Sequence, residues 1–496
     1  MLSKSKYCAF VQCPRNLWLK TYKPELATPD ASIEARMEAG NEIGNLAMQL
    51  FGEFVEVTAY KADGRMDLSA MISQTNALIL QEQPVICEAS FSYNGNYCAV
   101  DILKREGNGY AIYEVKSSTH VNEIYAVDVS YQKYVLEHCG INVTGTYLVC
   151  LNSDYVFDGV LDIHKLFKIV DLSNHVAEQY EYVEGNIAAA NAIMDDPIEP
   201  LYGLSEGCNK PYHCPFWEHC SSHLPKPSVF DVYKISFANK IEYYNSGIIT
   251  YEDIKNTTEM RNHIRSLQIH HELEELETYV DKKGIKNFLD TLSFPLYFLD
   301  FETMQLPIPQ FIGTRPYAQI PFQYSLHYLE SPDGELKHTE FLGISGEDPR
   351  RSLAEQLCRD IPMNVCTLAY NKGFECGRIK ELAEYFPDLA EHLLNIADNI
   401  KDLIVPFRAG HYYNRAMGGS FSIKSVLPAI YPNEPALDYH NLEGVHNGGE
   451  AMELFPRIKD LSFDGQTTAR QNLLKYCELD TYAMVKVWEE LVKVTK

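Results

Sequence analysis

Three groups of side chains in this sequence have the types and spacing for chemistry. The first lies in YCAVDILKREGNGYAIYEVKSS, where Asp101 precedes Glu114 and Lys116. Two carboxylates at one place can hold Mg²⁺ or Mn²⁺. Such an ion polarises a phosphodiester and acidifies a bound water, while a lysine orients that water or balances developing charge. The elements follow from the pattern: YCAVDIL reads as a strand, REGNG as a turn and YAIYEVK as a second strand. Glu114 and Lys116 then share one face, Val115 takes the other, and the hairpin brings Asp101 opposite them. The bland alternative is a surface ion pair between Glu114 and Lys116.

A second acidic group is spread over the C-terminal part. PLYFLDFET puts Asp300 and Glu302 on one face of an apolar strand and Phe301 on the other. Two unpaired buried carboxylates are costly unless a cation joins them. CTLAYNKGFECGRIKELA runs from a strand into a helix with Asn371 and Glu375 at the junction, and Asp402 in IKDLIVPF is a reserve acid. LLKYCELDTYAMVKVW reads as an amphipathic helix in which Tyr476 and Asp480 share a face. GGSFSIKSVLP, around Ser422 and Lys424, suits either a strand-binding groove or a plain helix N-cap.

The third group is made of thiols. Cys208, Cys214 and Cys220 cluster in CNKPYHCPFWEHC, and a fourth ligand would come from Cys13, or else Cys8, near the N-terminus. A soft thiolate set suits an iron–sulfur cluster or zinc; His213 and His219 keep zinc open.

The first group resembles the RecB-like branch of the PD-(D/E)xK nucleases: VDIL matches the first acid, YEVK the acid–lysine pair, and DVSYQKYVLE the glutamine/tyrosine helix through Gln132 and Tyr134. The resemblance implies metal-binding Asp101 and Glu114, with Lys116 and Gln132 completing the site, and gives weaker parts to Glu42 and Glu88. In the same branch, one N-terminal cysteine in a CPR-type sequence and three later ones bind a [4Fe-4S] cluster that staples the domain ends. Cys13 with Cys208, Cys214 and Cys220 reproduces that order, although five residues rather than two separate Cys208 from Cys214. The second group resembles the DnaQ-like 3′–5′ exonucleases of RNase H-like fold that carry a tyrosine in the last motif. That implies metal ligands Asp300, Glu302, Glu375 and Asp480, with Tyr476 orienting the attacking water. Glu375 stands where that pattern has Asp.

The whole is therefore expected to be α/β: a restriction-endonuclease-like domain with an iron–sulfur staple over 1–224, a helical connector over 225–290, and an RNase H-like exonuclease domain over 291–496. The expected activity is hydrolysis of DNA, single-stranded or at ends, with RNA trimming or a catalytically silent nucleic-acid-binding subunit as alternatives. Repair, recombination and defence all suit that activity.

Stepping out to composition, 496 residues suit about three domains. No apolar run is long enough to span a bilayer, and MLSKSKYCAFVQCPRNLWLK does not read as a secretory signal. Thirteen scattered cysteines argue against a disulfide framework and for a reducing, cytoplasmic setting. A net charge of −25 excludes a protein that coats nucleic acid through a general basic surface. The first 23 residues run the other way, with Lys4, Lys6, Arg15, Lys20 and Lys23 and no acid, which is either a phosphate-contacting patch or a solvated face. Binding is expected to weaken steeply with salt. In the connector, Gly247 reads as a helix C-cap in preference to a nucleic-acid-binding hairpin.

Overall fold

The computed structural model describes residues 1–29 and 33–496 as a mixed α/β chain. It divides into two units, Met1–His223 with Leu306–Tyr317, and Leu224–Gln305 with Ala318–Lys496.

The first unit is built on β1 (Leu2–Ser3), β2 (Val55–Glu56), β3 (Val85–Tyr93), β4 (Asn96–Glu106), β5 (Gly109–Lys116), β6 (Val143–Leu151) and β7 (Phe167–Asp171). They pair in the order β2-β3-β4-β5-β6-β7, and β1 lies parallel to the start of β4. The β3–β4 hairpin turns at Asn94–Gly95, both with positive φ, as a two-residue turn between right-twisted strands requires. β5 runs parallel to β6, and the connection between them contains the helix Glu123–His138. That helix packs Val129, Val135 and Leu136 with Ile112 and Leu148 from one side of the sheet. The neighbours Ala111 and Val149 point to the other side, where Ile43 and Ala47 of the helix Ile33–Ala47 join them. Both faces are covered, so these strands read as nearly continuous apolar runs. Each fully buried Leu, Ile or Val contributes roughly 1.5–3 kcal/mol.

The second unit holds β8 (Thr278–Val280), β9 (Leu296–Gln305), β10 (Gln319–Leu329), β11 (Lys337–Leu342), β12 (Cys366–Ala369), β13 (Ile400–Asp402) and β14 (Tyr412–Asn414). Five of these form one sheet in the order β11-β10-β9-β12-β13, with β9 antiparallel to β10 and parallel to β12. Leu299, Phe301, Tyr324 and Leu326 turn to one face, packed with helices Arg350–Asp360, Gly373–Tyr385 and Ala390–Asp398. The 33-residue helix Phe463–Thr495 covers the other face; its Trp488 ring meets Phe298 edge-on at 5.9 Å.

The segment expected to act as a connector folds as part of this second unit. It is largely helical, but β8 pairs with β14, a contact no local pattern announces. Gly247, at φ +77, ends the helix Phe237–Asn245: its amide reaches the Tyr244 carbonyl and that of Ile248 reaches Tyr243. This paired closure is a helix C-cap.

Candidate active sites and a thiol cluster

The first site lies where β4 and β5 part. Their ladder runs from Glu106–Gly109 to Ile102–Tyr113, and Asp101 and Glu114 are the next residues beyond it. The Val115 amide donates instead to Asp101 Oδ2 at 2.7 Å. Glu114 is fully buried and accepts from Lys116 Nζ at 2.5 Å and Gln132 Nε2 at 2.7 Å. Asp101, Glu114, Lys116 and Gln132 thus meet at one point.

Two further groups complete it. Asp128, one helical turn before Gln132, accepts from Gln132 Nε2 at 3.0 Å and pairs with Lys116 at 3.1 Å. The helical period of DVSYQKYVLE was enough to find it. Lys4 carried no such signal, because 97 residues separate it from its partner Asp101. Strand β1 bonds to β4, Ser3 caps the helix Lys4–Gln12, and Lys4 Nζ lands 3.3 Å from Asp101 Oδ1 and 3.1 Å from Glu114 Oε1.

The charges sort accordingly. Burial and the Glu114 charge raise the Asp101 carboxyl to about 6 despite Lys4. Burial acts the same way on Glu114, but Lys116 and Lys4 outweigh it and hold that carboxyl below its ordinary value. Glu88, across from Asp101 on β3 with φ +56, is raised to about 7 by burial and Asp101. The other weak candidates lie elsewhere. Tyr134 stacks on His138 at 4.0 Å and faces Tyr180, because two helical residues turn it about 200° from Gln132. Glu42 is exposed on its helix.

A pocket of about 530 Å³ adjoins this site, lined among others by Lys4, Lys20, Lys116, Tyr125 and Tyr212. The rest of the N-terminal basic run is largely spoken for. Arg15 and Lys23 both pair with Glu199, at 2.7 and 3.1 Å, so an open phosphate-contacting patch is reduced to the side chains around this pocket.

In the second unit, ligand oxygens of Asp300, Glu302 and Asp480 lie within 4.8 Å of one another. Asp300 and Glu302 share a face of β9, and the helix Phe463–Thr495 lowers Asp480 onto them. Burial, with Asp480, Glu375 and Glu302 around it, pushes Asp300 well above the ordinary carboxylate range. Burial and Asp480 raise Glu302 to about 8. Asp480 reaches about 6 through burial, restrained by hydrogen bonds from Tyr439 and Tyr476 and by Lys424. Tyr439 donates to Asp480 Oδ1 at 2.6 Å, and Lys424 Nζ is 3.1 Å from the Tyr476 hydroxyl. Tyr439 opens the short 3-10 turn Tyr439–Asn441, too brief for any periodicity to mark it.

Glu375 is buried and close enough to act on Asp300, yet it stays outside the trio. Its Oε2 is buried without a hydrogen-bond partner, and burial and Asp402 raise it to about 8. Asp402 Oδ1 accepts from the Ile404 amide in its own turn and from the Asn371 amide just past the end of β12. Ser422 begins the helix Ile423–Ile430 and bonds only within its own turn and to Ser420. A cleft of about 650 Å³, lined among others by Lys424, Tyr439, His446 and Asn447, opens beside the acids.

The residues fit divalent ions differently at the two places. The trio and Glu375 are close, oxygen-only and short of positive charge, which suits Mg²⁺ or Mn²⁺. At the first site, two ammonium groups offset part of the charge of Asp101, Glu114 and Asp128, and an ion must compete with Lys4.

Cys13, Cys208, Cys214 and Cys220 line one small cavity. Cys8 instead lines the pocket beside Lys116 and Asp128. Among the described residues no three of these thiols come within 4.8 Å of one another. Tetrahedral zinc, with Zn–S about 2.3 Å, would draw four sulfurs to roughly 3.8 Å apart; a cubane cluster spaces them more widely. His219 Nε2 is 3.0 Å from Glu199 Oε1, and His213 is exposed with Nδ1 3.4 Å from Asn209 Oδ1.

A family model described as a domain of unknown function (DUF2779) matches residues 297–422, which takes in Asp300, Glu302 and Glu375 but not Tyr476 or Asp480. A protein of Ureaplasma parvum serovar 3, "Uncharacterized protein UU173", is 25% identical over 225 residues, 40% of this chain and 31% of the relative. The chain thus matches about a third of that relative's length. No solved structure matches.

Proposed function

We propose that this protein is a metal-dependent phosphodiester hydrolase acting on DNA, with its main active centre at Asp300, Glu302, Glu375 and Asp480. One observation carries the reading: buried, mutually close carboxylates with elevated pKa values and no ammonium among them. Divalent ions bound there would supply the charge that polarises the phosphodiester and acidifies the attacking water. The protein's own groups do the rest. Tyr439 and Tyr476 fix the Asp480 carboxylate, the Tyr476 hydroxyl is placed to orient a water, and Lys424 offers a cation to a phosphate in the cleft. The strand order β11-β10-β9-β12-β13, with the last helix against β9, supports an RNase H-like fold and a 3′–5′ exonuclease.

The first site is proposed as a second, PD-(D/E)xK nuclease centre in which Lys4 holds the place between Asp101 and Glu114. Lys116 and Gln132 orient Glu114 there. The thiol set is proposed to carry a [4Fe-4S] cluster, on the strength of the cavity that all four thiols line.

The test is digestion of end-labelled single- and double-stranded oligonucleotides, deoxy and ribo, with Mg²⁺ or Mn²⁺. We expect Mn²⁺-dependent release from 3′ ends that Asp300→Ala abolishes, and residual cleavage that Lys116→Ala removes. Cleavage untouched by both variants would defeat the proposal. An inert wild type that binds oligonucleotides would leave the chain a binding subunit, and preferred trimming of the ribo strand would make RNA the substrate.

A further inference from the structure

We propose that His327, His338 and Glu478 form a third metal site, for a zinc-class transition ion, that clamps the last helix to the sheet edge. His327 on β10 and His338 on β11 are direct cross-strand partners, with ring centroids 4.5 Å apart. Glu478 comes from the helix Phe463–Thr495, and one ligand atom from each of the three lies within 4.8 Å of the others. His327 is buried, while His338 and Glu478 are exposed, so an ion can enter from solvent.

The hydrogen bonds around the rings point to the same use. Assigning the one proton of Thr481 Oγ1 to the Glu478 carbonyl at 3.1 Å, which can only accept, leaves the oxygen as acceptor at its other two contacts. Its 2.8 Å contact with His327 Nδ1 is therefore donated by the ring. Its 2.7 Å contact with Ser325 Oγ is likewise donated by Ser325. Ser325, having given its proton, accepts from His338 Nε2 at 2.9 Å. One nitrogen of each imidazole is thus tethered, His327 Nδ1 and His338 Nε2, which leaves His327 Nε2 and His338 Nδ1 as the open ligand positions. Tethering the second ring nitrogen in this way is how proteins orient metal-binding histidines.

The donor set differs from that of the acidic trio. Two imidazoles and a carboxylate select zinc, cobalt or nickel, whereas the oxygen-only trio favours Mg²⁺ or Mn²⁺. The two places are also adjacent: Asp300 pairs in register with Ser325, and Thr481 follows Asp480. A clamp here would hold in place the helix that delivers Tyr476 and Asp480.

The test titrates the chelator-treated full chain with Zn²⁺ and Co²⁺, comparing wild type with His338→Ala and Glu478→Gln. Both side chains are exposed, and Mn²⁺ binding at the trio serves as the control for folding. We expect wild type to bind one more equivalent of Zn²⁺ than His338→Ala, with affinity at least a hundredfold tighter at that site. The Co²⁺ difference spectrum between wild type and His338→Ala should show a visible band, and Glu478→Gln should weaken that band. Equal stoichiometry in wild type and His338→Ala, or Co²⁺ spectra identical in wild type and both variants, overturns the site. Because the reading is a difference between variants, ions taken up by the thiols cancel.

Discussion

Lys4 Nζ sits 3.1 Å from Glu114 Oε1 and 3.3 Å from Asp101 Oδ1, so an ammonium from the N-terminal helix occupies the fork between two strands. Among the described residues the acidic trio of the second unit has no ion pair of that kind; Lys424, which acts on its charges, bonds instead to Tyr476 and the His446 carbonyl. One site holds ammonium groups in direct ion pairs and the other does not, and their responses to metal and pH should differ for that reason.

Removing the Lys4 charge should open the first site to metal. In an Asp300→Ala background that silences the second unit, Lys4→Met should tighten Mn²⁺ binding about tenfold or more, since a full charge a few ångströms away is worth over 1 kcal/mol at intermediate dielectric. Calorimetry measures it. Unchanged affinity would mean that Lys4 does not contend with the ion.

Neutralising one acid of the trio should stabilise the metal-free protein while removing its metal. Asp300→Asn relieves repulsion with Asp480, Glu375 and Glu302. Its thermal midpoint without metal should rise by a few degrees, and the rise that Mn²⁺ produces in the wild type should vanish. A lowered metal-free midpoint would show that Asp300 is engaged in a favourable pair.

The same acids set a pH dependence. Glu302 and Glu375 stand near 8 in the fold against an ordinary 4.5. Between those values the folded chain binds more protons than the unfolded one, so stability falls as pH rises. Metal-free protein should lose stability from pH 5 to about 8, and saturating Mn²⁺ should cancel that loss. Mn²⁺ affinity should climb over the same interval, because binding expels the protons. Calorimetric scans with and without Mn²⁺ read both effects; a metal-free midpoint flat across this range would contradict the burial of these groups.

Tyr439 and Tyr476 should separate in their effects. Tyr439→Phe deletes a charge-assisted hydrogen bond worth roughly 1.5–3 kcal/mol, so Asp480 should hold a proton to higher pH and Mn²⁺ affinity near neutrality should fall about tenfold or more. Tyr476→Phe, which also removes a hydrogen bond to Asp480, should lower Mn²⁺ affinity less than Tyr439→Phe does and lower kcat more. Identical losses in both would remove the distinction between fixing the carboxylate and orienting water.

The thiol set predicts colour. Anaerobically purified protein should be brown, absorbing near ~400 nm, and Cys220→Ser should bleach it and destabilise the first unit. Colourless protein containing zinc would replace iron there.

Much of this arrangement was legible from local sequence. Asp101, Glu114 and Lys116 follow from strand alternation and one turn, and Asp300 with Glu302, or Tyr476 with Asp480, from the periods of a strand and a helix. What escaped comes from contacts between remote segments: Lys4 depends on β1 pairing with β4, Tyr439 on a turn too short for a period, and β8 on β14. Tyr134, two residues from Gln132 in the same motif, packs against His138 and Tyr180 because proximity along a helix does not set direction around it. The N-terminal basic residues look like a free patch until Glu199, far along the chain, is seen to engage two of them.

The last helix also decides when the main centre can exist during synthesis. Asp300 and Glu302 leave the ribosome well before Asp480, so a nascent chain lacks the full set of acids until the helix Phe463–Thr495 has emerged. A chain stopped ahead of Tyr476 should therefore lack the Mn²⁺ uptake of the acidic centre while keeping every residue of the first site.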